Sequence, residues 1–349
     1  MNDHLILKKD HTLSLLRRLM REHRLVAPLR NRHGDTLFAE VDDLAGVELD
    51  LEHQPQASLK PFLFPQQETM FRYRLDGEGG GYRFEPPEAG RPLLFFGVRA
   101  CDLSAVLYLD VIFSRRGRDP YYFARRHDSL LISLACNQPF ANCFCNSTKT
   151  GPFLEYGFDL QLTDLGDRYL VEVGRARGAE LVGRWRHFFT PAEEGDRKAQ
   201  YQALLESRSH FQRQVHLEQA IRRLQADEPL PEELWAGLAR RCQDCGGCAY
   251  VCPTCTCFTI TDQQLTATEG IRQRSWDACT FGGFTRLAGG HNPVDASRDQ
   301  LRQRFLHKLL YDVREHGRPS CVGCGRCLGI CFGGVDIVRF IDLVCEVRQ

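Results

Sequence analysis

Eight cysteines stand in two runs of the same spacing: Cys242-x2-Cys245-x2-Cys248-x3-Cys252, followed by Pro253, and Cys321-x2-Cys324-x2-Cys327-x3-Cys331. This is the spacing of bacterial ferredoxins, written twice. Three thiolates at i, i+3 and i+6 can curl around one face of an iron–sulfur cubane. Gly246, Gly247, Gly323 and Gly325 leave room for backbone N–H groups to approach the sulfurs. In two-cluster ferredoxins the fourth cysteine of each run serves the other cluster. Cys242, Cys245, Cys248 and Cys331 are therefore expected on one [4Fe–4S] cluster, and Cys321, Cys324, Cys327 and Cys252 on the other. Zinc takes paired C-x2-C ligands, four in total, so two complete four-cysteine runs favour iron–sulfur chemistry. Phe332 follows Cys331 where a proline is usual, and Gly333-Gly334 can turn the chain instead.

Eight further cysteines remain: Cys101, Cys136, Cys143, Cys145, Cys255, Cys257, Cys279 and Cys345. Cys345 lies in the tail and reads as structural. The other seven sit in loop-like contexts rich in Gly, Pro and Asn, not on apolar helix stripes. A thiol buried only as a small hydrophobe needs no such turns. Four of the seven could hold a third [4Fe–4S] cluster. The favoured set is Cys136, Cys143, Cys257 and Cys279. The competing reading is a mixture of buried thiols and one redox-active pair.

Sixteen cysteines in 349 residues would suggest disulfides in a short secreted chain. Here the chain is long, most of the cysteines cluster between Cys242 and Cys331, and the start, MNDHLILKKDHT, has no apolar signal core. Ligation in a reducing compartment fits better, and the expected location is cytoplasmic. No stretch approaches the ~18 apolar residues of a spanning helix. With 45 basic and 45 acidic residues the formal charge is zero, which gives no pull towards nucleic acid or an anionic membrane. No dinucleotide or P-loop fingerprint and no H-E-x-x-H or G-x-S-x-G motif is present.

These residues need elements to position them. Thr12 can cap a helix carrying Leu13, Leu16, Leu19 and Met20. The glycine-rich stretch 78–82 reads as a loop. Segments 93–98, 129–134 and 169–173 are short and apolar, and read as buried strands. Asp102 can cap a helix over 103–113. Residues 193–226 read as one long helix or a helical pair. The chain breaks over 227–232, followed by a short helix over 233–240. The chain thus divides into an α/β (or α+β) domain, 1–228, and a mostly helical dicluster ferredoxin domain, 229–349. The two runs are separated by 68 residues, 253–320. Within them Ser297 and Gln300 form a capping box. Leu301, Phe305, Leu309 and Val313 make an apolar stripe, which Gly317 and Pro319 end.

The segments GVRACD (97–102), NCFC (142–145), CPTCTCF (252–258), WDAC (276–279), AGGHNP (288–293) and CVGCGRC (321–327) resemble the iron–sulfur beta subunit of cytoplasmic [NiFe] hydrogenases of the sulfhydrogenase type. The A subunit of anaerobic sulfite reductase is similar. The resemblance runs from about Leu13 to Val338. One departure is Val294, where the family usually has Arg. The resemblance implies a non-catalytic subunit that passes electrons between a flavin-containing, NAD(P)H-linked subunit and the small and large subunits of a [NiFe] hydrogenase. The alternative is an electron-transfer or catalytic subunit of a sulfite or sulfur reductase.

Three smaller signals have bland and functional readings. His291 reads first as a loop histidine and second as a metal ligand or partner contact. Arg99, beside Cys101, could tune a cluster by its charge. The basic residues Arg115, Arg116, Arg118, Arg125 and Arg126 read as a solvated face, with partner binding the alternative.

Overall fold

The computed structural model describes residues 4–76, 80–88, 90–115, 117–226 and 228–347. Glu78 and Gly79 of the glycine-rich stretch, Arg116 of the basic run and Asp227 at the expected boundary lie outside them.

The strands, in chain order, are β1 (Leu5–Lys8), β2 (Arg24–Arg30), β3 (Thr36–Val41), β4 (Gln67–Leu75), β5 (Tyr82–Glu85), β6 (Leu93–Val98), β7 (Leu130–Leu134), β8 (Leu160–Asp164), β9 (Arg168–Val173), β10 (Phe189–Pro191), β11 (Phe258–Gln264) and β12 (Glu269–Trp276). Eight of them form a mixed sheet in the order β10-β1-β9-β8-β7-β6-β2-β3. Its centre, β2-β6-β7-β8, is parallel. Every residue of β6 and β7 is buried, as a parallel strand covered on both faces requires. Helix Lys9–Leu19 places Leu15, Leu16 and Leu19 on one face. Helix Ala100–Ile112 places Leu103, Val106 and Leu109 on the other. The expected mixed α/β character is present.

Three caps differ from expectation. The first helix starts at Lys9, because β1 runs straight into it; Thr12 is buried within the helix and its hydroxyl has no partner. The helix after β6 starts at Ala100, so Asp102 lies in its first turn, free to bond elsewhere. Ser297 is the first helical residue after Ala296, and its hydroxyl donates to Asp244 Oδ1 at 2.9 Å instead of closing a capping box. The stripe itself forms: Leu301, Phe305 and Leu309 are buried, and Gly317 ends the helix at φ +70°.

The C-terminal part is less helical than expected. Residues 258–276 form a long β-hairpin, β11 and β12, which joins β4 and β5 in a second sheet, ordered β11-β12-β4-β5. Its outer strand is exposed throughout, so it carries no apolar period that would mark it in the sequence. Buried Arg274 of β12 anchors the hairpin. Its Nε donates to Glu68 at 2.7 Å and its Nη1 to Asp119 at 2.6 Å. The expected boundary is crossed a second time by helix Leu217–Gln225. It packs with the helices of the cysteine-rich part in one core containing Leu224, Trp235, Phe305 and Phe340. Phe305 and Phe340 stack at 4.6 Å.

Candidate iron–sulfur centres

Each ferredoxin-type run starts in an irregular loop and ends in one short helical turn, Gly247–Tyr250 and Arg326–Ile330. Gly246 and Gly325 precede those turns with φ of +68° and +76°, left-handed values that aim the following N–H groups inward. Cys242, Cys245, Cys248 and Cys331 line one small cavity with Leu301 and Val335. Cys252, Cys321, Cys324 and Cys327 line a second, with Arg304 and Lys308. Each cavity thus joins three cysteines of one run to the last cysteine of the other. Backbone N–H groups already point at two sulfurs: Asp244 N at 3.4 Å from Cys242 Sγ and Val335 N at 3.2 Å from Cys331 Sγ.

The electrostatics of these cavities call for a bound anion. Arg304 and Lys308 are both buried. Arg304 donates to the Cys248 carbonyl at 3.2 Å and to Cys255 Sγ at 3.8 Å, and its Nε has no partner. Lys308 donates to Thr254 Oγ1 at 3.0 Å. Burial works to lower both pKa values, but the thiolates around them, Cys252 and Cys255 in each case, hold both well above the ordinary range. A buried cation is costly unless an opposite charge meets it. A cubane held by four thiolates carries that negative charge, and the donor set of four sulfurs fits it.

The remaining thiols fall into two groups. Cys101, Cys136, Cys143 and Cys145 are all buried; Cys101, Cys143 and Cys145 lie within electrostatic reach of Cys324, and Cys136 within reach of Cys143 and Cys145. Cys255, Cys257 and Cys279 lie elsewhere, beside the second cavity. The free thiols of Cys257 and Cys279 are hydrogen-bonded to each other, which lowers the pKa of Cys257 and raises that of Cys279. Lys60 covers this second group: its amine donates to the Cys255 carbonyl at 3.0 Å and sits 3.7 Å from the Trp276 ring centre. Burial brings that amine down to about 8, against the attraction of the nearby thiolates. The set Cys136, Cys143, Cys257 and Cys279 is therefore divided between the two groups, because the 142–145 loop packs on the second run while Cys279 follows β12. Among the described residues, no group of three or more His, Cys, Asp or Glu side chains could hold a single metal ion.

His291 is exposed and its carbonyl accepts from Leu287 N at 2.8 Å, as a loop histidine would. Arg99 is buried, and its guanidinium hydrogen-bonds the Cys136 thiol and covers the Phe140 ring. Arg115 pairs with Glu315, while Arg125 and Arg126 pair with Glu68 and Asp110, so these three serve structure. Lys60, Arg304 and Lys308 are functional neighbours that the sequence motifs do not mark. The signal for two of them was present: cations at 304 and 308 share the stripe of Leu301 and Phe305.

Residues 241–335 match the 4Fe-4S dicluster domain family. The whole chain is 31% identical over 351 aligned positions to sulfhydrogenase 2 subunit beta of Pyrococcus furiosus, covering 98% of each chain. That similarity extends through the mixed sheet, the shared β-hairpin and both cysteine runs. Among the described residues no helix is long and apolar enough to cross a membrane. The chain belongs to the family of sulfhydrogenase beta subunits, iron–sulfur proteins with [4Fe–4S] centres.

Proposed function

We propose that this chain is a cytoplasmic, non-catalytic relay that passes single electrons through two [4Fe–4S] clusters. Cys242, Cys245, Cys248 and Cys331 hold one, and Cys321, Cys324, Cys327 and Cys252 hold the other. The observation that carries the reading is the pair of cavities, each lined by three cysteines of one run and the fourth of the other. The first site lies at the surface. Cys245 is exposed, and Ile330 and Phe332, exposed by 45% and 79%, stand on its rim. Such a site suits exchange with a docked partner, since electron transfer needs close approach.

The partners in this reading are a flavin-containing subunit that meets NAD(P)H and the small and large subunits of a [NiFe] hydrogenase. The chain's own residues hold the clusters, shield the second one and set the charge around it. The test is purification of the native complex under anaerobic conditions. The chain should co-purify with flavin and hydrogenase subunits. Alone, it should accept electrons from dithionite without turning over hydrogen, sulfur or sulfite. Replacing Cys331 by Ala should remove the cluster of Cys242 first. An isolated chain that reduces sulfite or sulfur catalytically would overturn the relay and favour a reductase.

A further inference from the structure

The parallel strands β6 and β7 are neighbours, and each ends at a cysteine-bearing turn. Cys101 lies three residues beyond β6 and Cys136 two residues beyond β7. In open α/β sheets the carboxyl ends of parallel strands are where ligands bind, because the strand-to-helix loops converge there. The loop that follows β7 returns Cys143 and Cys145 to the same place. All four side chains are at least nine-tenths buried, at 4, 7, 4 and 4% exposure.

We propose that Cys101, Cys136, Cys143 and Cys145 hold a third [4Fe–4S] cluster at the carboxyl ends of β6 and β7, next to the site of the second run. Three observations support it. First, the thiols adjoin one another: Cys101 and Cys145 pack against Cys324, and Cys143 and Cys145 each feel the charge of Cys136. Second, the loop carrying them is locked onto the second run: Phe144 N donates to the Gly323 carbonyl at 2.8 Å, and Cys143 Sγ lies 3.7 Å from the Cys324 carbonyl. A cluster here would be the next stop after the cluster of Cys324. Third, buried Arg99 reaches Cys136, which supplies a cation where a thiolate-bound cluster would place negative charge.

Four cysteine thiolates are the donor set of a cubane. Thiolates sharing one tetrahedral ion at about 2.3 Å stand about 3.8 Å apart, and no group in the described residues is arranged for a lone ion. The eight cysteines of the two runs share that property. The inference rests on the relay reading only for the cluster's role; the ligand set stands on its own geometry. In that role the order is surface site, second-run site, N-terminal site, with Cys324 between the last two.

The test is iron and sulfide analysis of the full chain, reconstituted anaerobically, with EPR of the reduced protein. The wild type should hold about twelve irons and Cys143→Ser about eight, with the two ferredoxin-type signals unchanged. Cys101→Ala should behave like Cys143→Ser. Should both fail to fold, Arg99→Gln keeps every thiol; it should leave iron at about twelve and shift one midpoint potential of three. A wild type at about eight irons that Cys143→Ser does not lower would overturn the third cluster and leave the other two untouched. Twelve irons lowered by Cys279→Ala but not by Cys143→Ser would overturn the ligand set. Cys245→Ala should cost about four irons of the surface site. Were it to cost none while Cys143→Ser still cost four, the ferredoxin-type reading would fall and the N-terminal set would stand.

Discussion

Asp102 and Arg326 form a buried, two-pronged ion pair, with Nη1 donating to Oδ1 at 2.7 Å and Nη2 to Oδ2 at 2.8 Å. Arg326 lies between Cys324 and Cys327, and Asp102 directly follows Cys101. The pair therefore clamps the second cysteine run to the first turn of the helix after β6. The remaining Nε of Arg326 donates to the Pro55 carbonyl at 2.8 Å, so its donors are well used. Such a pair is stable because both charges are met; removing one partner strands the other.

Asp102→Ala is therefore expected to destabilise the protein by roughly 3–5 kcal/mol, since it leaves Arg326 buried and unpaired. Arg326→Met should cost a similar amount. The double variant Asp102→Leu/Arg326→Met should lose less than the sum of the singles. Anaerobic thermal melts at matched iron content measure this. Additive losses would show that the pair contributes nothing beyond its parts.

The loop carrying Cys143 and Cys145 lies directly on the second run, and two glycines permit it. A Cβ on Gly323 would meet the backbone N and Cα of Cys145 at 2.7 Å, and one on Gly325 would meet the Asn142 carbonyl oxygen at 2.2 Å. Both residues also have positive φ, 60° and 76°, which disfavours side chains. Gly325→Ala should separate loop from run, seen as faster hydrogen exchange over 142–145 and loss of iron on mild chelation. Gly283→Ala, where an added Cβ meets nothing, is the control. Equal iron retention in both variants would contradict this account.

The two cysteine runs were the most legible part of the sequence, because their spacing is local. The central strands were legible for a similar reason: β6 and β7 are buried on both faces and read as unbroken apolar runs. The hairpin β11–β12 was not, because β11 is exposed at every residue and β12 takes its place in the sheet by pairing with β4, about two hundred residues earlier. The grouping of Cys101 with Cys136, Cys143 and Cys145 was also hidden, since β6 and β7 must pair before those turns meet. Asp102 looked like a cap because caps are local; its true partner lies 224 positions along the chain.

The surface site has an apolar rim that a lone chain gains nothing by exposing. Phe332 is exposed by 79% and Ile330 by 45%. Phe332→Glu should weaken association with the partner subunit at least tenfold, about 1.4 kcal/mol, while iron content and cluster EPR stay unchanged. Pull-down or light scattering of reconstituted complexes reads this out. Unaltered affinity would place the docking face elsewhere.

The strongest quantitative expectation concerns Arg304 and Lys308. Both line the second-run cavity, and the helix that carries them opens into a π turn over His307–Tyr311, where Lys308 sits buried. Such turns often mark functional sites, because they re-aim side chains within a helix. A positive charge beside a cluster favours its reduced, more negative state. Removing one should therefore lower the potential. For a charge about 7 Å away at an effective dielectric constant of about 20, the interaction is about 2 kcal/mol, which is on the order of 100 mV for a one-electron couple. Arg304→Gln and Lys308→Met should each shift the cluster of Cys252, Cys321, Cys324 and Cys327 downward by several tens of millivolts. The cluster of Cys242 should move less in Lys308→Met, because Lys308 does not line its cavity. Arg304→Lys keeps the charge and should restore most of the potential, separating charge from packing. EPR-monitored titrations at constant iron content measure all three variants; a potential that rises, or that Arg304→Lys fails to restore, would mean that these cations do not set it.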